Sequence, residues 1–253
     1  RTRLDDFREV RGDRRGTVND AVRAVVTGAL RSWLLGRGEQ LSASATVRAL
    51  VPVGVRAAGP GGGAAGTVGG TVGCAVGTGG WAGAAGIAAL LVDLPIGEPD
   101  PLGRLRRVQH ATAVHAASGL SVGADALVGL SGFAPPTLHS LGARAANGLT
   151  RRLYDVAITD VPGPQQPLYA AGCELAEMFP IMPLAAGHAL AFGITSYNGG
   201  VYFAINADLD AVPDVAEIAE LVPATLAELV AASRPADIEP GRPRRRSRER
   251  ARS

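Results

Sequence analysis

The sequence predicts an α/β fold in which helices flank a mixed β-sheet. Three observations lead there. Apolar runs of strand character at 46–55, 87–94 and 154–159 are separated by segments with helical spacing, the alternation that builds sheets covered by helices. Two further alternating runs, 189–197 and 201–208, flank Asn198-Gly199-Gly200, a turn sequence that joins strands antiparallel, so the sheet is mixed. A strongly marked helix beginning at Thr17 supplies the covering layer.

Each element has a local reason. Leu4 to Val10 is a short charged entry, helical or strand-like, closed by Gly12 and Gly16. Thr17 then caps a helix with Asp20 three residues on, and Gly36 and Gly38 stop it. Val18, Val22, Val25, Val26, Ala29, Trp33 and Leu34 give it one apolar face. The strand at 46–55 runs into a Gly-rich low-complexity stretch containing a GTVG-GTVG repeat at 66–73, which reads as a flexible loop over 57–86. The strand at 87–94 ends at Pro95. Asp100 caps the next helix with Pro101 at its first position. Leu102, Leu105, Val108 and Ala111 turn inward there, while Arg104, Arg106 and Arg107 take the other faces. Helices are expected over 123–131 and 136–151, and 154–159 reads as a central strand stopped by Pro162-Gly163-Pro164. A further strand is expected at 174–179. Residues 213–232 close the fold as an amphipathic helix that Pro223 should bend.

Composition narrows the function. The 253 residues are 47% hydrophobic, enough for a globular core, yet only 4% aromatic. Stacking on nucleic-acid bases is therefore disfavoured. All 25 basic residues are arginine, and seven of them lie in the last twelve positions against the single acid Glu249. That tail sums to +6 where the whole chain sums to +2, so the remainder carries −4. We expect residues 1–233 to fold and 234–253 to form a solvated, disordered arginine-rich end. The tail could also touch anionic lipid, whereas the acidic folded part gives no support to nucleic-acid binding.

Chemistry-bearing patterns are sparse. Gly61, Gly63 and Gly66 satisfy G-x-G-x-x-G after a strand, but neither a following helix nor an acid about twenty positions on completes a dinucleotide site. No G-x-S-x-G elbow is present, and a chain without lysine has no phosphate-binding P-loop. Cys74 and Cys173 are too few for a disulfide framework or a four-ligand zinc site. His110 and His115 stand five apart, the wrong spacing for a shared metal, and with His139 and His188 they read as surface or core histidines. No metal and no cofactor is expected. The uncharged run from Ala57 to Val92 carries too many glycines to read as a membrane span.

Five segments carry a resemblance: TVNDAVRAVVTGALRSWL (17–34), VRALVPVGVR (47–56), LVDLPIGEPDPLGRLRRV (91–108), ITDVPGPQQPLYAAG (158–172) and PIMPLAAGHALAFGITSYNGGVYFAINADLDAVPD (180–214). In order and spacing they resemble the C-terminal half of bacterial wax ester synthase/acyl-CoA:diacylglycerol acyltransferases, over about residues 4–232. The resemblance implies one half of a CoA-dependent acyltransferase fold, chloramphenicol acetyltransferase-like, in which two α/β halves enclose a substrate tunnel. It implies transfer of a fatty acyl group from acyl-CoA, a co-substrate, to diacylglycerol or a long-chain alcohol. The family's HHxxxDG motif, whose second His is the general base, belongs to the N-terminal half and is absent here. The chain therefore reads as a fragment, one chain of a cleaved enzyme, or a non-catalytic lipid- or partner-binding remnant, and the expected partner is the N-terminal half.

Site residues follow from the same resemblance. Asn19 and Asp20 match the family's ND pair beside the tunnel, although Asp20 also suits helix capping by itself. Thr159, Pro162 and Gly163 match its [ST]NVPGP loop, where a hydroxyl or backbone N–H would face the developing oxyanion. Asp160 departs from the usual Asn; a carboxylate near an oxyanion would repel it. The Gly-Asn pair that usually precedes the VDLP strand is also missing. The family reading places the protein in the cytoplasm, peripheral at the inner membrane face or at lipid droplets.

Overall fold

The computed structural model describes residues 1–12, 16–55, 86–118, 122–123, 153–185 and 187–234. The Gly-rich loop, the expected helices at 123–131 and 136–151, Cys74, His139 and the arginine tail past Arg234 lie outside the described residues.

Among the described residues a seven-stranded mixed sheet organises the chain. Its strands are β1 (Thr2–Arg3), β2 (Val47–Val55), β3 (Gly86–Leu94), β4 (Val122–Gly123), β5 (Val156–Pro162), β8 (Leu190–Tyr197) and β9 (Gly200–Ala207). The spatial order is β1-β9-β8-β5-β2-β3-β4, with a separate two-stranded hairpin of β6 (Tyr169–Ala170) and β7 (Cys173–Glu174). β5 is the central strand, parallel to both neighbours: Ala49 pairs with Val156 on one side and Ala157 with Ala191 on the other. The outer pairs β2–β3, β3–β4, β8–β9 and β9–β1 are antiparallel. The β8–β9 turn has Asn198 at φ 42° and Gly199 at φ 76°. Two successive positive φ values are what a two-residue hairpin turn demands, and Asn and Gly reach them most cheaply.

Among the described residues, four helices pack against one sheet face: α1 (Leu4–Arg11), α2 (Val18–Gly36), α3 (Pro101–Ser118) and α4 (Val215–Ser233). The charged entry is thus mainly helical. Leu4, Phe7 and Val10 share its buried face, and Asp5 and Asp6 in the first turn with Arg8 and Arg11 in the last complement the helix dipole. The α2 capping box is complete: the Thr17 hydroxyl accepts from Asp20 N at 3.2 Å and Asp20 Oδ2 accepts from Thr17 N at 2.8 Å. One feature of α2 exceeds the single apolar stripe its spacing implies. Every residue from Asp20 to Leu30 is buried, because α1, α3 and α4 surround the helix on the sides the sheet does not cover.

Asp100 caps α3 as its position implies, accepting from Gly103 N at 2.8 Å. Arg104 corrects the expectation that it faces outward. It is 3% exposed, donates to the carbonyls of Glu98 and Pro99, and reaches Glu228 Oε2 on α4 at 2.9 Å. These partners satisfy a charge that burial would otherwise make costly. α4 runs through Pro223 without interruption.

The strand expected at 174–179 is also corrected. Only Cys173–Glu174 pairs, and 175–185 forms an irregular strap across the second sheet face. Pro180 and Pro183 deny it ladder donors. On that face Ala157 and Ala191 meet Tyr154, Met182 and Leu184, so among the described residues it is the strap that covers the sheet there.

Candidate active-site wall

A cavity of about 380 Å³ opens beyond the carboxyl ends of β5 and β8. Its lining includes Asn19 and Thr17 at the start of α2, Arg8 and Arg11 on α1, Asp160, Pro162 and Gly163 on β5 and the loop after it, and Ser196 on β8. This position has a general cause. Parallel strands deliver their carboxyl ends to one edge, and a helix N-terminus placed there turns free N–H groups and positive potential toward any ligand.

The loop after β5 is held rigidly. A side chain at Gly163 would run into the Ser196 carbonyl, so only glycine lets the loop lie this close to β8. Gly163 N donates to Ser196 Oγ at 3.3 Å. Gln165 Nε2 donates to the Gly163 carbonyl and to Ser196 Oγ, both at 3.0 Å. Gly199 N in turn donates to Gln165 Oε1 at 3.1 Å, tying the loop to the β8–β9 turn.

Electrostatics beneath the cavity are dominated by three groups. Asp20 and Arg23 form a buried ion pair at 3.3 Å, and Asp20 also accepts from the Thr17 hydroxyl at 2.9 Å. Asp160 faces the same region, its Oδ2 buried without a hydrogen-bond partner; Arg23 Nε is likewise unpartnered. Burial pushes the Asp160 carboxyl up to about 6; the Arg23 charge draws it down and the Asp20 charge raises it further.

The six residues singled out in the sequence are thus divided. Asn19, Asp160, Pro162 and Gly163 come together in the cavity lining. Asp20 lies behind it, turned toward Arg23 and its own capping box. Thr159 points to the opposite sheet face, where its hydroxyl donates to Met182 Sδ at 2.7 Å. Strand alternation dictates that split: neighbours on β5 face opposite ways. Sequence reasoning missed Ser196, Gln165 and the Arg8/Arg11 pair. Gln165 sits two residues past Gly163, and Arg8 and Arg11 are three apart on a helix; those were the available signals, but only the β5–β8 register brings Ser196 to Gly163.

No histidine or cysteine is among the described lining residues. His110 is exposed on α3, and His188 is buried, stacked on Tyr154 at 4.0 Å between ring centroids. The described residues can hold a ligand and donate hydrogen bonds to it, with Asp160 their titratable carboxyl.

Fold and cavity define an α/β domain with a cavity at the carboxyl edge of its parallel strands. The chain belongs to the WS/DGAT C-terminal domain family, whose model matches residues 85–230. A Mycobacterium tuberculosis protein named as a probable diacylglycerol O-acyltransferase, tgs1, is 28% identical over 218 residues, covering 86% of this chain and 43% of its own length. The O-acyltransferase WSD of Acinetobacter baylyi is 26% identical over 212 residues, covering 83% of this chain and 41% of that protein. The solved wax ester synthase/diacylglycerol acyltransferase from Marinobacter aquaeolei VT8 shares the fold at a TM-score of 0.63 and 22% identity, over 91% of this chain and 47% of its own. The chain spans less than half the length of these relatives.

Proposed function

We propose that the chain is the C-terminal half of an acyl-CoA-dependent O-acyltransferase acting on diacylglycerol or a long-chain alcohol. The observation that carries the reading is the cavity at the ends of β5 and β8. It gathers Asn19 and the Pro162–Gly163 loop, and none of its described lining residues carries an imidazole. A histidine from the N-terminal half would take the acceptor's hydroxyl proton as its oxygen attacks the thioester carbonyl. Donors around the cavity would stabilise the tetrahedral oxyanion. Its collapse breaks the carbon–sulfur bond, forms the ester and releases CoA, whose thiolate takes up the proton.

Asp160 favours a second reading, a non-catalytic remnant, because a carboxylate in this loop opposes an oxyanion. The test pairs the chain with an HHxxxDG-bearing half, from sequence encoded upstream of Arg1 or from tgs1. CoA release from palmitoyl-CoA is followed with diacylglycerol and hexadecanol as acceptors. Release that needs both halves and vanishes when the second His is replaced supports the enzyme. A stable pair that releases no CoA supports the remnant. The helices described carry none long and apolar enough to cross a membrane. We place the protein in the cytoplasm, with the arginine tail making peripheral contact with anionic lipid at the inner membrane face or lipid droplets.

A further inference from the structure

A second cavity, of about 460 Å³, lies on the other flank of α1. Leu4, Arg8 and Arg11 of that helix turn toward the candidate active-site wall, whereas Asp6 turns toward this second cavity beside β1. Helical spacing puts the two sets on opposite faces. One wall of the second cavity is apolar. Pro223, Leu226, Ala227, Val230 and Ala231 of α4 recur there at intervals of three and four, the spacing of a single helix face. Pro223, Ala227 and Ala231 are exposed along it.

The rim is cationic. Arg1 and Arg3 border the cavity from β1 and Arg234 from the end of α4, and Asp6 is the only acid among the described lining residues. Acids outside the lining hold these arginines incompletely. Arg1 Nη1 lies 3.5 Å from Glu177 and Arg3 Nη2 lies 3.9 Å from Asp5, and all four side chains are well exposed. A charge-assisted hydrogen bond is shorter, about 2.7–2.9 Å, and exposed pairs of this kind contribute little. Arg234 donates to Glu9 Oε1 at 2.8 Å, but only through Nε. A guanidinium carries further N–H donors on its two other nitrogens, and these suit a phosphate or carboxylate taken in fork geometry.

Such a cavity selects its ligand by having two unlike sides. A small inorganic anion would leave the α4 wall in water, and a neutral hydrocarbon would leave the arginines without a counter-charge. A ligand with an anionic head and an apolar chain satisfies both, and the volume suits a molecule of that size.

We propose that the cavity between β1 and α4 binds one anionic amphiphile, its phosphate or carboxylate held by Arg3 and Arg234 and its alkyl chain laid along Pro223, Ala227 and Ala231. The site is separate from the candidate active-site wall, with which it shares no lining residue, and it does not depend on acyl transfer. It also differs from contact of the arginine tail with a lipid surface, because it is a defined pocket with one place per chain. The amphiphile has two sources, a free long-chain anion or an anionic phospholipid of a bilayer, and both present the same chemistry to the arginines.

Calorimetric titration of the 253-residue chain with dodecyl phosphate, kept below its micelle-forming concentration, reads the site directly. Wild type should bind one molecule per chain, and butyl phosphate, the same head without the chain, at least about 10-fold more weakly. Arg3→Ser/Arg234→Ser should weaken dodecyl phosphate at least about 10-fold by removing charged donors. Ala227→Glu, which sets a charge in the path of the alkyl chain, should weaken it to a similar degree. Arg106→Ser, at an exposed arginine of α3 outside the cavity lining, should leave it unchanged. All of these positions are exposed, so thermal melting should match wild type. No binding at one site per chain, equal affinity for butyl phosphate, or unchanged affinity in either cavity variant overturns the proposal. Flotation with phosphatidylcholine vesicles containing phosphatidylglycerol then separates the two sources. Binding to vesicles that falls in the cavity variants identifies a bilayer phospholipid. Binding that ignores them and falls only in Arg244→Ser/Arg245→Ser/Arg246→Ser identifies a free amphiphile as the ligand of the cavity, with the tail alone meeting the bilayer; either result leaves the site standing.

Discussion

Replacing Asp160 with asparagine should stabilise the protein at neutral and alkaline pH and have much less effect in acid. The carboxyl is raised from 3.8 to about 6 in the folded chain, burial being the largest cause. Between those values the native state holds a proton that the unfolded chain has released, so stability falls as pH rises from about 4 to about 6 and then levels off. A shift of about two units corresponds to a penalty of at most about 3 kcal/mol above pH 7. At pH 4.5 the same linkage leaves a penalty of about 1 kcal/mol, so about 2 kcal/mol should separate the two conditions. Comparing the variant at two pH values isolates this quantity. The amide does not titrate, so its own packing and its altered interaction with Arg23 cancel to first order. Other groups facing the site from α2 are Asp20 and Arg23, and both are present in either protein. Urea unfolding followed by circular dichroism at pH 4.5 and pH 8 gives the two differences. If Asp160→Asn changes stability equally at both, within about 0.5 kcal/mol, Asp160 titrates as an ordinary carboxylate and the burial argument is wrong.

Two further substitutions test the helical layer. Asp20→Ala removes a cap and leaves Arg23 buried without its ion-pair partner; the loss should reach about 3 kcal/mol, against about 1 kcal/mol for a capping role alone, measured by urea unfolding. In the reunited enzyme, turnover falling further than this loss of folded protein explains would give Asp20 a positioning role as well. Gly28→Ala should cost about 1–3 kcal/mol, because an added methyl meets the Thr225 Cγ2 and the Arg104 guanidinium where α2 and α4 cross closely; a melting temperature unchanged from wild type would refute that crossing.

The fold was largely legible because its local signals agree with its tertiary structure. Thr17 and Asp20 announced α2 through a capping box that forms as drawn, and Asn198-Gly199 announced the β8–β9 turn through φ values few other residues adopt. Arg104 was misplaced because helical spacing does not say which arginine will find Glu228 across another helix. The 174–179 segment has strand-like composition, yet only Cys173–Glu174 pairs and the rest runs over the second sheet face, a matter of tertiary packing. The site was legible in part. Asn19 and the Pro162–Gly163 loop lie 143 or more positions apart in sequence, and only the family resemblance put them together. Alternation along β5, applied to Thr159 and Asp160, shows that neighbours in one motif must face opposite sides of the sheet.

Both neighbours of the middle strand are distant along the polypeptide. Arg48 and Asp155 meet across 107 positions, and Val161 and Thr195 across 34. While a ribosome adds the intervening hundred or so residues, one border of β2 stands open with its amides unsatisfied, a template for mispairing with other nascent chains. Completion of the sheet therefore waits on loop closure over a long contour, a slow and late event for a chain of this size.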